Sequence, residues 1–259
     1  MDAAREAGAI VLDRLARPAR DVRTKSSATD PVSEADHAAE AAIVSRLRAA
    51  RPDDEIVSEE GGGAGAGRSG LRWYVDPLDG TVNYLYGLPQ FSVVIACADA
   101  AGTLAGVVFD PSRGELFHAA RGGGAWLGER RLRVREPASL AVSLVATGFS
   151  YLAEERALQG RVLAHVLPRV RDVRRLGSAA LDLAWVAAGR CDAYFESVSK
   201  PWDWVAGALV VTEAGGTVTD LAGAGGAPRI VASAPGLHGP LLRLLDAAVH
   251  AARVQTRQE

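Results

Sequence analysis

Cysteine is scarce: Cys97 and Cys191 are the only two in 259 residues. They lie far apart in apolar contexts and read as two reduced, buried thiols of a cytosolic protein. Neither opens a C-x5-R phosphatase loop, because the positions that would need arginine hold Thr103 and Ser197. Lysine is scarcer in proportion. Lys25 and Lys200 are the only lysines and neither follows a glycine, which excludes a P-loop. The five histidines form no cluster. No apolar run approaches the ~20 residues that span a bilayer. The segment "MDAAREAGAIVLDRLARPAR" mixes acids with arginines and lacks an A-x-A site, so it reads as a mature helix and not as a targeting peptide. A net charge of −2 gives no reason to expect nucleic acid or an anionic membrane as partner.

What is present suits a globular protein of one large domain or two small ones. Hydrophobic residues make up 48% and charged residues 23%. A chain this long buries roughly 70–75% of its unfolded surface and needs neither disulfide nor structural metal. Residues 3–16 and 33–52 read as helices, the second capped by Ser33 with Asp36 three residues on. "DEIVSEE" (54–60) and "RWYVD" (72–76) read as strands around a glycine loop, 61–70, for which a lid and plain disorder both stay open. Residues 91–136 read as an antiparallel meander ending in "RLRVRE". From 140 onward strands and helices alternate. The division expected is an N-terminal α+β half, 1–139, and a C-terminal α/β half, 140–259. The letters G-x-G-x-x-G at 65–70 precede a strand where a dinucleotide site needs a helix, so that reading fails.

The string "DPLDGT" (76–81) carries the chemistry. Asp76 ends a strand, Pro77 cannot continue a central ladder, and a turn there lets Asp76 and Asp79 face one point. Two unpaired anions would repel, and a cation is the simple remedy. Oxygen ligands without His or Cys favour a hard ion such as Mg²⁺. The aspartates are three apart, whereas an aspartyl-nucleophile phosphatase needs D-x-D-G-T, so Asp76 is not expected to attack substrate. Glu59 and Glu60 at a strand end, and Asp203 opening an apolar helix, could complete a metal site. Taken singly, each is an ordinary strand-end or helix-start acid.

Together, "DPLDGT", "SEE" (58–60), "WDWVAGALVVTEAGG" (202–216) and "TDPVSEADHAAE" (29–40) resemble the Mg²⁺-dependent inositol monophosphatase family over nearly the whole chain. Residues 172–196 look most like the bacterial, particularly actinobacterial, inositol-1-monophosphatase branch. The resemblance implies a layered α-β-α-β-α sandwich of the inositol monophosphatase and fructose-1,6-bisphosphatase type. It implies two to three Mg²⁺ ions. Glu59, Asp76 and the Leu78 carbonyl would hold one; Asp76, Asp79 and Asp203 would hold another. Gly80 and Thr81 would contact the phosphate. Gly177, Ser178 and Ala179 would form the sugar-side loop, and Glu196 would bind an inositol hydroxyl. Glu59 and Thr81 would orient a metal-activated water, with Asp79 beside them. Lys25, Asp36 and Glu60 are candidates to support the ligands from behind. Three helix N-termini, near Thr81, Ser178 and Asp203, could face one phosphate.

The expected activity is hydrolysis of myo-inositol 1-phosphate, a small phosphorylated polyol, by a cytoplasmic homodimer. Fructose-1,6-bisphosphate, histidinol phosphate and 3′-phosphoadenosine phosphates remain alternatives on the same fold. A regulatory binding protein is the alternative of another class.

Overall fold

A computed structural model describes residues 1–16, 22–24, 31–61, 67–197, 200–221 and 225–256, without the side chains of 22–24, 31–33 and 255–256. Lys25 and positions 62–66 of the glycine loop lie outside the described residues.

The helices are α1 (Asp2–Leu15), α2 (Glu34–Ala50), α3 (Thr81–Leu85), α4 (Ala153–Val166), α5 (Ala179–Ala187), α6 (Pro201–Glu213) and α7 (Pro235–Thr256). A two-stranded piece, β1 (Val22–Thr24) with β2 (Pro31–Ser33), was not legible in the pattern of the sequence. Ser33, expected to cap α2, closes β2 directly before it.

One sheet has seven strands in chain order: β3 (Glu55–Ser58), β4 (Arg72–Asp79), β5 (Ser92–Asp99), β6 (Gly102–Asp110), β7 (Glu115–Ala120), β8 (Gly124–Leu127) and β9 (Arg130–Arg131). The β3–β4 pair is parallel and the rest is an antiparallel meander. The second sheet contains β10 (Leu144–Thr147), β11 (Asp172–Arg174), β12 (Ala193–Glu196), β13 (Thr217–Asp220) and β14 (Ile230–Ser233), in the order β11-β10-β12-β14-β13.

Side-chain alternation builds the layers. On β5, Val93 and Ile95 pack with α1 and α2, while Val94 and Ala96 pack with α5 and α6. Burial on both faces explains the almost unbroken apolar run "FSVVIACA". In the second sheet Ala146, Tyr194, Ile230 and Ala232 face α5 and α6; Val145, Ala193, Phe195 and Val231 face α4 and α7. The result is an α-β-α-β-α sandwich with α5 and α6 as the shared middle layer. Those two helices have apolar residues all round, as a helix covered on two faces requires.

Two local expectations change. The chain does not leave the ladder at Asp76. β4 continues through Pro77 and Leu78 to Asp79, with a register shift between Asp76, opposite Val94, and Asp79, opposite Ser92. A bulge accommodates Pro77, which has no N–H to donate. The meander also stops earlier than "RLRVRE" suggests. Leu132 N–H donates to the Ala125 carbonyl, and Val134 N–H to the carbonyl of Ala214 beyond the end of α6. The segment thus leaves the sheet edge to close over the middle layer.

Candidate active site

The strand ends of the first sheet meet the N-termini of α5 and α6. Val75 faces α1 and α2, so the next residue, Asp76, points toward the middle layer. It is 2% exposed, and its Oδ1 accepts the Leu78 N–H at 2.9 Å across the bulge. Glu59 follows β3 and is held beside β4 by its N–H donating to the Val75 carbonyl at 3.1 Å. Glu60 N–H donates to Glu40 Oε2 at 2.8 Å, so α2 steadies the turn.

Asp79 is held by several donors from α5. Ser178 Oγ donates to its Oδ2 at 2.6 Å and Ala180 N–H at 2.9 Å; Ala179 N–H reaches Oδ1 at 3.3 Å. The N-terminal amides of α5, which the sequence suggested for a phosphate, are therefore spent on Asp79. A buried carboxylate is the anion that this helix end already serves. Ser178 Oγ also caps α5 by accepting the Leu181 N–H.

Between Asp76 and α3 the backbone turns at Gly80, with φ 97°. A β-carbon there would lie 3.0 Å from the Gln90 carbonyl and 3.1 Å from that of Gly177, so conformation and space both demand glycine. Thr81 Oγ1 lies 3.0 Å from the Leu78 carbonyl and 3.3 Å from Asp36 Oδ1. Its single proton serves one acceptor at a time. Asp36 is fully buried and faces Thr81, a placement beyond what helix capping would need. Asn83 Nδ2 donates to the carbonyls of Gln90 and Leu176, tying the Gly177 loop to the turn that follows α3.

Across the site, Tyr194 hydroxyl donates to Glu196 Oε2 at 3.0 Å. Lys200, exposed at the start of α6, lies over the Trp202 ring. Asp182, on the first turn of α5, is buried, and its Oδ1 has no hydrogen-bond partner among the described residues. The sequence reading passed over Asp182. An acid inside the apolar helix "SAALDLAWVAAG" was the signal that could have found it.

The electrostatics are those of crowded acids. Burial, then Glu59, Asp79 and Asp203, push the Asp76 carboxyl well above the carboxylate range. Burial and the same crowding by Asp79 and Glu59 raise Asp203. Asp79 rises to about 6, chiefly by burial, against the lowering effect of its Ser178 and Ala180 hydrogen bonds. Glu196 rises to about 7 through burial, countered by Tyr194 and Arg175. Burial, then Glu196 and Asp79, raise Asp182, with Arg175 opposing.

Among the described residues no three acids, histidines or cysteines form a ready-made ligand cage. The donor set nonetheless fits a hard divalent cation. It is all oxygen, it comes from several elements, and the main influences on Asp76 are burial and other acids, all opposing its ionisation.

The sequence profile described as the inositol monophosphatase family matches residues 1–258. An inositol-1-monophosphatase SuhB of Mycobacterium tuberculosis is 45% identical over 236 residues, 87% of this chain and 81% of that protein. A Nus factor SuhB of Xylella fastidiosa is 46% identical over 229 residues, 88% of this chain and 82% of its own length. The crystal structure of extragenic suppressor protein SuhB from Bartonella henselae superposes with a TM-score of 0.88 at 39% identity, covering 94% of this chain and 95% of that one.

Proposed function

The chain belongs to the inositol monophosphatase family, and from that premise we propose that it is a Mg²⁺-dependent phosphomonoesterase acting on myo-inositol 1-phosphate. The carrying observation is the convergence of Glu59, Asp76, Asp79 and Asp203, in which burial first and the neighbouring acids second raise the proton affinity of Asp76, Asp79 and Asp203. Glu59, Asp76 and the Leu78 carbonyl would hold one ion, and Asp76, Asp79 and Asp203 a second; a third near Glu59 completes the upper count. When bound, the ions supply Lewis-acid stabilisation of the phosphoryl oxygens and lower the pKa of water.

The remaining work falls to the chain itself. With its proton given to Leu78 O or Asp36 Oδ1, Thr81 Oγ1 presents lone pairs and orients a water as an acceptor. Glu59 accepts the proton that this water loses on attack. Gly80 lets the backbone approach the phosphate. Asp79, braced by Ser178, Ala179 and Ala180, keeps its place without a flexible side chain having to be ordered at each turnover. Glu196, on the second sheet, accepts a hydroxyl of the alcohol half.

Phosphate release measured with and without Mg²⁺ over inositol 1-phosphate, fructose-1,6-bisphosphate, histidinol phosphate and 3′-phosphoadenosine 5′-phosphate tests the reading. Preference for a substrate other than inositol 1-phosphate overturns its specificity, and full activity in excess EDTA overturns the metal. The two free buried cysteines support a cytoplasmic setting. The resemblance supports a homodimer, which sedimentation would check. A second reading, an added role as a Nus factor, draws support from relatives that carry that name at nearly the same identity as those named for the phosphatase.

A further inference from the structure

We propose that Gly148 and Tyr194 are specificity-positioning residues, which hold the Glu196 carboxyl where it can read the alcohol half of the substrate. The proposal rests on the reading of Glu196 as the acceptor of a substrate hydroxyl.

β10 and β12 are parallel neighbours, with Thr147 opposite Phe195, so Gly148 comes next in register beside Glu196. Gly148 is buried. A β-carbon built on it would fall on the Glu196 carboxyl, touching its carbon and both oxygens. The Gly148 backbone is outside the left-handed region, so conformation does not demand glycine there. What glycine supplies is space for one side chain, and that side chain faces the site.

Tyr194 precedes Glu196 by two residues on β12 and therefore shares its face. The Tyr194 ring is fully buried among α5 and α6, and its hydroxyl engages Glu196 Oε2. Among the described residues that hydroxyl is the hydrogen-bond partner of the carboxyl, which leaves Oε1 to accept a hydroxyl from a ligand. Arg175 and Asp79 act on Glu196 through space with opposite signs. Neither has the geometry of a clamp; the clamp is the Tyr194 hydrogen bond on one side and the absent β-carbon on the other.

The three atoms nearest a methyl group at position 148 all belong to the end of a flexible side chain, which can give way before the backbone does. Glu196 must instead swing out of place. The phosphate-handling residues on the first sheet are not touched. A substrate with hydroxyls to recognise should suffer, and one without them should not suffer equally.

The experiment compares kcat/KM for myo-inositol 1-phosphate with kcat/KM for p-nitrophenyl phosphate, which lacks an alcohol hydroxyl. In Gly148→Ala the ratio of the two should fall about tenfold or more, mainly through KM for the polyol. Tyr194→Phe, which loses one hydrogen bond without changing shape, should lower it about fivefold. Gly148→Ala combined with Glu196→Gln should be no less selective than Glu196→Gln alone, because both act through one carboxyl. If Glu196→Gln lowers the ratio while Gly148→Ala and Tyr194→Phe leave it within about twofold of wild type, the positioning inference is overturned. If Glu196→Gln itself leaves the ratio unchanged, the reading of Glu196 beneath it fails. Should Gly148→Ala not fold, as judged by its thermal melt, Tyr194→Phe decides the matter alone.

Discussion

The two sheets contribute to the site in different ways. The first delivers its acids from strand ends within two short stretches, 58–60 and 76–81, with the bulge at Pro77 setting Asp76 and Asp79. The second delivers Glu196 from a strand, with Gly148 and Tyr194 around it, while Ser178 at the start of α5 braces Asp79 from the middle layer; these four residues are spread through the latter half of the chain. On the proposed function the contrast is a division of labour: chemistry common to phosphate esters would be encoded locally, where backbone geometry sets the acids, and discrimination between alcohols would depend on packing between distant segments.

The largest effects should come from the local side. Asp76→Asn and Asp79→Asn are expected to lower kcat on every phosphate ester by roughly 10²–10³ or more, the scale of losing one transition-state electrostatic element. Phosphate release across the substrate panel checks this. A loss confined to the polyol would break the division, since Asp76 would then be serving selectivity. Excess EDTA should mimic these variants on all substrates.

Next is the layer that joins the two sheets. Leu181 is fully buried in α5, in the core cluster shared by both. Leu181→Ala should cost about 2–5 kcal/mol of stability. In urea the loss should appear as one cooperative transition. Two separated transitions would mean that the sheets unfold independently and that the site joins two autonomous units.

The smallest effects concern pH, and here the site and the scaffold should have opposite signs. Glu196 has a folded pKa raised to about 7, so the folded state holds a proton that the unfolded chain releases above about pH 4. Its contribution is fully present below that point and is lost as pH rises toward 7. Asp54, on the far side of the first sheet, is lowered to about 2 by the Arg51 hydrogen bond, against burial, with help from Ser69 and Trp73. Its contribution is present above about pH 4 and is lost as pH falls toward 2. Thermal melts in EDTA should therefore show Glu196→Gln flattening the decline between pH 5 and 8. Asp54→Asn should flatten only the acid limb. The same sign for both variants would contradict the distinction.

The layers were readable from the periodicity of the chain, and the family resemblance carried their order. The doubly buried β5 and the apolar α5 and α6 announce themselves in composition. Asp76, Asp79, Glu59 and Asp203 were visible as candidates because their motifs are contiguous. Asn83 and the bracing of Asp79 were not, since each depends on a partner far along the chain; Asn83, for example, reaches the carbonyl of Leu176. The bulge in β4 was misread as a turn because Pro77 excludes a ladder hydrogen bond, which either arrangement satisfies.

By itself the sequence determined that acids, not histidine, cysteine or lysine, are the candidates for the chemistry, and that they sit at the ends of apolar elements. That much follows from residue type and local spacing. Only the tertiary structure decided that the α5 N-terminus serves Asp79 and that the place of Glu196 is reserved by Gly148. The physical reason is that hydrogen bonds and excluded volume act at contact distance, and contact between residues 79 and 178 exists only after both sheets have closed on the middle layer.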